Sequence, residues 1–456
     1  MKKSIHKKAY SIALITAVIL AINLSFASDQ IPAPPQDHPI ALIGGTIHTI
    51  SNGILYGGTI LFEDGKITKI GTNIDLPSGT ERIDITGMHV YPSLISTNSN
   101  IGLVEINAVQ ATRDYAERGD INPNVRAEAA INPDSEMMPV ARANGVALAL
   151  SIPSGGIISG RSALVMMDGW TWESMTLKSS VGLHVSWPSM GTQRGRFFRR
   201  AQSSPEEQKK RREEQLNKIK NAFAEARAYM VAKEAEGKKG IPHHDSDLRW
   251  EAMIPFLKGE ASVFIRANEI RQIQSAVDWA TSENLKMVLF GGRDAWRVTD
   301  LLVENNIPVI LDAIQVSPMR RWEAYDAPLT NAKKLLDAGV QFCIAGGGSA
   351  ANQRNLPYHA AMAAAFGLPK EEALKAITLS PAQILGVADQ VGSLDEGKDA
   401  TLFVANGDPL EIMTNVTMEF IQGRRIDLSS KHTQLYEKYR TKYKQMNLIQ
   451  EKIAAK

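Results

Sequence analysis

Only one cysteine, Cys343, occurs in the 456 residues. No internal disulfide can form, and the flanking Phe342 and Ile344 mark a buried strand thiol rather than a nucleophile. Excess charge is missing too: 51 Lys and Arg face 49 Asp and Glu. Such a balance exerts no overall pull on nucleic acid or an anionic membrane. Compact catalytic signatures are also absent. There is no Gly-Lys-Ser/Thr phosphate loop, no His-Glu-x-x-His, and Ser159-Gly160-Arg161-Ser162 is not a nucleophile elbow. Gly346-Gly347-Gly348 lacks the lysine and the spacing of a nucleotide loop, although backbone amides there could meet an anion beside Arg266.

The N-terminus has the three parts of a secretory signal at residues 1–27. Lys2, Lys3, Lys7 and Lys8 are basic, Tyr10 to Leu24 is apolar, and Ser25-Phe26-Ala27 is a small-x-small cleavage site. The expectation is a secreted, periplasmic protein that starts near Ser28 and keeps no stable membrane anchor. Loss of the four lysines would leave 47 basic against 49 acidic residues. A Pro-rich leader at 28–37 comes next.

With 44% hydrophobic residues the chain can bury a large core. Residues 38–91 are short β-rich pieces: Ala41 to Ile50, Thr59 to Phe62, Lys66 to Ile70 and Glu81 to Ile85, with a hairpin turn at Glu63-Asp64-Gly65-Lys66. A similar block returns at 390–427, which predicts one discontinuous β-sandwich domain built from both chain ends. Between them, at 92–389, lie eight apolar runs of strand length. They are Leu94 to Asn98, Val146 to Ile152, Ala163 to Met167, Gly182 to Trp187, Ser262 to Ala267, Met287 to Phe290, Pro308 to Asp312 and Gln341 to Ala345. The fold class is therefore α/β, a distorted (β/α) barrel. Runs between 145 and 188 are too close for a helix after each, so hairpin strands are expected there. Residues 203–239 predict a charged helical insertion with an apolar stripe of Leu216, Ile219, Phe223, Ala226 and Met230. An Arg- and Phe-rich run at 193–200 precedes it and reads as a packed loop. Residues 428–456 predict a basic terminal helix that packs on the surface.

Two stretches carry a resemblance. One is Val90-Tyr91-Pro92-Ser93-Leu94-Ile95-Ser96-Thr97-Asn98-Ser99-Asn100, and the other runs from Ala351 through Asn355-Leu356-Pro357-Tyr358-His359 to Ser380-Pro381-Ala382. Over residues 40–425 the chain resembles the amidohydrolase superfamily, in its imidazolonepropionase-like branch. The resemblance implies a barrel plus sandwich and hydrolysis of non-peptide C–N bonds of the cyclic-amide type. It also implies a divalent metal that activates water. The ligand positions it implies are occupied by other residues: Asn98 and Asn100 replace the His-x-His pair, Arg266 replaces the fifth-strand histidine, Gly291 the sixth-strand histidine, and Gly347 the final aspartate. The fourth-strand lysine has no clear counterpart. Amides are poor zinc ligands and a guanidinium repels a cation.

Nine histidines occur, and those outside the signal, the β blocks and the tail are His184, His243, His244 and His359. A relocated site would need His184 with His244 and Asp245, and would hold zinc. His359 reads as a packing contact. The leading expectation is a metal-free pseudoenzyme without a cofactor. It would bind a small polar or anionic ligand, or support an active paralogue or a second copy of itself. The alternative is an active hydrolase at the relocated site.

Overall fold

Strand-forming stretches from both ends of the chain meet in one sheet. The computed structural model describes residues 30–191, 204–236, 238, 240 and 243–449; the signal and the run 193–200 lie outside them. The strands from the N-terminal block are β1 (Ile40–His48), β2 (Ile54–Glu63), β3 (Lys66–Gly71), β4 (Glu81–Asp84) and β5 (His89–Pro92). Asp64 and Gly65 both have positive φ (49° and 77°), the pair of left-handed residues that a two-residue hairpin between β2 and β3 requires.

The barrel strands follow: β6 (Leu94–Ser99), β7 (Val146–Ser151), β8 (Ile158–Met166), β9 (Thr176–Ser186), β10 (Ser262–Ala267), β11 (Met287–Gly291), β12 (Val309–Leu311) and β13 (Phe342–Ile344). Each overlaps one of the eight apolar runs, although β8 and β9 begin well before theirs, at Ile158 and Thr176. Then β14 (Leu402–Ala405), β15 (Val416–Ile421) and β16 (Arg424–Arg425) return to the first sheet.

That first sheet has the order β16-β15-β14-β5-β1-β2-β3, with β4 paired to β1. Its join is β14 antiparallel to β5, with Leu402 opposite Pro92 and Val404 opposite Val90. The two chain ends share a core, and Phe62 meets Phe420 edge-on with ring centroids 5.1 Å apart. The aromatic pair adds about 0.5–1.5 kcal/mol to the area buried.

The second sheet runs β13-β12-β11-β10-β9-β8-β7-β6 and is a nearly closed barrel. All neighbours are parallel except those of β8, which is antiparallel to both β7 and β9. The physical reason is chain length. Antiparallel partners need only a short turn, whereas a parallel crossover needs a dozen residues or more. Strands buried on both faces read as continuous apolar runs, which is why these eight stand out in the sequence.

The insertion is a helix over Pro205–Ala235, opened by a capping box between Ser204 and Glu207. It buries Ile219, Ala222, Phe223, Ala226 and Tyr229, while Leu216 and Met230 pack half-buried beside them. Phe223 stands edge-on to Trp279 at 4.9 Å. The C-terminal helix, Lys431–Gln445, touches the body through His432 and Thr433, and none of its residues is buried.

Candidate functional site at the barrel mouth

Parallel strands deliver their last residues to the same end of a barrel. Asn98 on β6 and Asn100 just after it, His184 and Ser186 on β9, and Arg266 on β10 accordingly surround one cavity of about 230 Å³. Gly348 lines it as well.

Asn98 is buried and donates from Nδ2 to Asp312 Oδ1 at 3.0 Å. Asp312 directly follows β12, and the backbone amide of Ala313 also donates to Oδ1, at 2.9 Å. The other oxygen, Oδ2, lies 3.6 Å from Arg266 Nη1. Arg266 in turn lies over the Phe290 ring, 4.2 Å from guanidinium carbon to centroid. Both partners of this ion pair are about one-third exposed or more, so it is worth no more than about 1 kcal/mol. Arg266 is thus not the isolated cation that the sequence suggested. Its charge is shared with a carboxylate that the sequence reading passed over.

Asn100 closes the seam between β6 and β13, which have no ladder between them. Its amide N–H donates to Gly348 O at 3.1 Å, and its Oδ1 accepts from Ala350 N at 2.8 Å. Gln353 is fully buried behind them. Its Nε2 donates to the carbonyls of Asn98 (3.3 Å), Gly347 (2.8 Å) and Ser349 (2.8 Å), and Ser96 Oγ donates to its Oε1.

The two expected glycine positions separate. A Cβ on Gly348 would come within 3.3 Å of Asn98 Oδ1, so Gly348, not Gly347, borders the cavity. Gly291, at φ 108°, belongs to a neighbouring hollow lined by Asp294, Asp312 and Asn331. Counted from β6, β9 is the fourth strand. It brings His184 and Ser186 to the cavity, while its lysine, Lys178, sits at the other end and donates to Leu385 O and Gly386 O.

His184 is only 6% exposed and its Nε2 has no hydrogen-bond partner among the described residues. Phe264 and Phe290 stand edge-on to the ring at 5.1 and 5.8 Å. Burial, and then the Arg266 charge, lower its pKa to about 3, which leaves a neutral imidazole at ordinary pH. His244 keeps different company. Its N–H donates to Glu236 Oε1 at 2.6 Å, its carbonyl accepts from Lys233 Nζ at 2.9 Å, and Asp245 beside it is exposed. None of these groups surrounds His184. His359 is buried and its Nδ1 accepts weakly from Gln315 N at 3.4 Å.

The sequence model of the amidohydrolase family matches residues 324–426. An amidohydrolase from Thermotoga maritima is similar in structure: TM-score 0.76 at 25% identity, over 85% of this chain and 99% of that one. The amidohydrolase tasK of Hapsidospora irregularis is 23% identical over 387 residues, or 80% of this chain. The chain belongs to the amidohydrolase superfamily.

The chain spans only 39% of the length of the tasK protein. A shorter stretch of 77 residues is 39% identical to the D-hydantoinase of Geobacillus stearothermophilus, covering 17% of this chain and 15% of that protein. Superfamily membership implies a metal, and the donors at this mouth do not fit one. Asn98 and Asn100 offer neutral amides that are already committed to Asp312 and to the β13 loop. Arg266 offers a cation, and Gly348 offers no side chain. Among the described residues no group of three or more His, Cys, Asp or Glu side chains could hold a metal ion.

Proposed function

We propose that this superfamily member is a metal-free binding protein whose barrel mouth takes a small carboxylate, exported to the periplasm by the signal at residues 1–27. The observation that carries the reading is the Arg266 guanidinium, a partly exposed cation on the same cavity as His184, whose Nε2 has no partner among the described residues. Arg266 can meet a carboxylate with two parallel N–H bonds, because its planar fork has more donors than the Asp312 contact uses. Ser186 and Ser159 add hydroxyls to the same wall. A cavity of about 230 Å³ limits the ligand to a small molecule.

Hydrolysis of a C–N bond, the superfamily reaction, needs an activated water. Among the described residues, Asp312 is the carboxylate bonded into this mouth, and Asn98 Nδ2, Ala313 N and Arg266 already occupy it. That arrangement supports binding more than base chemistry. Support of an active paralogue is the second reading, and an imidazolonepropionase-like ancestry with a cyclic-amide ligand is compatible with either.

The test is a thermal-shift screen with acetate, glycolate, pyruvate and N-acetylglycine, on the wild type and on Arg266→Ala. A carboxylate should raise the melting temperature of the wild type and lose that effect in the variant. A shift that survives Arg266→Ala contradicts the pocket. Absence of any shift leaves the paralogue-support role as the better reading.

A further inference from the structure

The terminal helix Lys431–Gln445 carries a stripe that the fold leaves uncovered. Leu435, Tyr436, Tyr439, Tyr443 and, just past the helix, Met446 are 39%, 65%, 47%, 43% and 55% exposed. At 100° per residue these five fall within about a 100° arc of the helix. Lys431, Lys438 and Lys442 lie along one border of that arc, and Arg440 and Lys444 along the other. The helix holds five basic residues and one acid, Glu437. Its first turn touches the body, where His432 and Thr433 border a cavity shared with Tyr358 and Ile412. Past that turn nothing is buried. Ile412, which borders that cavity, and Met413 beside it on the loop after β14 are 75% and 83% exposed.

We propose that this helix docks the protein reversibly on an anionic lipid surface, lying in the interface rather than crossing it. Charge complementarity selects the occupant. A second copy would bring five more basic residues against these five, whereas acidic headgroups on both sides of the stripe would neutralise them. Tyrosine suits the boundary, since its ring sits in the acyl region and its hydroxyl among headgroups. A balanced whole-chain charge does not oppose this, because a surface within a Debye length senses the local cluster. No described helix is long and apolar enough to cross a membrane, so a surface contact is the form such binding would take.

The experiment is co-sedimentation of the processed chain, whose body from Pro32 onward is one compact unit. The probes are vesicles of phosphatidylcholine alone and of phosphatidylcholine with 30% phosphatidylglycerol. Two variants are compared: Tyr436→Gln/Tyr439→Gln/Tyr443→Gln and Lys438→Gln/Lys442→Gln. Glutamine keeps helix propensity and none of these positions is buried, so the melting temperature should not move. The wild type should pellet with the anionic vesicles only and release as salt rises. The lysine pair should weaken that binding roughly thirty-fold, and the tyrosine triple should also lose it. Equal pelleting with both vesicle types, no pelleting with either, or an unchanged tyrosine variant overturns the proposal. So does a wild-type dimer that the tyrosine variant converts to monomer, since a second copy would then be what covers the stripe.

Discussion

Asn98 on β6 donates to Asp312 after β12 at 3.0 Å, a hydrogen bond that spans the barrel mouth between non-adjacent strands. Arg266 on β10 reaches the same carboxylate. Together with the Asn100 contacts to the β13 loop, these bonds tie strand ends that a metal would otherwise gather. Asn98→Ala removes the charge-assisted bond and should cost about 1–2 kcal/mol, since Asp312 is partly open to water. Asn98→Asp should cost more at neutral pH, because two carboxylates would then face each other, and should recover part of that as pH falls. Chemical denaturation at several pH values measures both. An Asn98→Ala variant as stable as wild type would show that the bond carries no structural load.

His184 gives the stability a pH dependence with a defined sign. Its folded pKa, about 3, lies below the ordinary value of 6.5 because of burial and the Arg266 charge. Between those values the unfolded chain binds the proton and the folded one does not. Its contribution is therefore complete above pH 6.5 and lost as pH falls towards 3. While this one group titrates, the slope is at most about 1.4 kcal/mol per pH unit. His184→Phe should flatten that part of the profile relative to wild type. An identical acid limb in both proteins would place the sensitivity elsewhere, for instance at His48, which burial lowers to about 4.

Glu419 on β15 should act in the opposite direction. It is fully buried, and burial raises its pKa well above the ordinary value, with Arg142 opposing. A raised folded pKa means stability that is present below the unfolded value and lost as pH rises. Glu419→Gln, nearly isosteric and neutral, should be more stable than wild type at pH 8 and gain little at pH 4. Denaturation midpoints at the two pH values decide it; a variant less stable at both would mean that the charged carboxylate is needed.

The barrel was legible because its strands are buried on both faces. Runs such as Ser262 to Ala267 and Met287 to Phe290 need no periodicity to be seen. The reversal of β8 was legible in spacing rather than in apolar content, since the runs between 145 and 188 leave no room for a helix after each. Asn98, Asn100 and Arg266 were found through family positions, and the structure brings them to one cavity. Asp312 was missed although it closes the run Pro308 to Asp312, the same strand-end position as the others. A polar residue ending a barrel strand was signal enough. Choosing Gly348 over Gly347 depended on the backbone turn, with Gly347 at φ 88°, which a row of three glycines does not encode. That the C-terminal helix buries none of its residues was not legible, because a basic composition does not say what covers a helix.

Cys343 offers a simple check on the barrel core. Its side chain is fully buried, its Sγ lies 3.6 Å from Thr97 Oγ1, and burial pushes the thiol up to about 12. A thiol so placed does not form thiolate at neutral pH. Ellman's reagent should leave the native protein unlabelled for hours and modify one thiol per chain in denaturant. Fast labelling of the native protein would mean that the β13 edge opens readily.

Metal content addresses the binding reading most directly. Protein purified without a metal-affinity tag, from cells supplied with zinc, is analysed by inductively coupled plasma mass spectrometry. With amides, a guanidinium and glycine in place of ligands, zinc should be well below one per chain, and added zinc should not raise the melting temperature. About one zinc per chain, retained through dialysis and lost in His184→Ala, would contradict a metal-free mouth and restore metal-dependent hydrolysis.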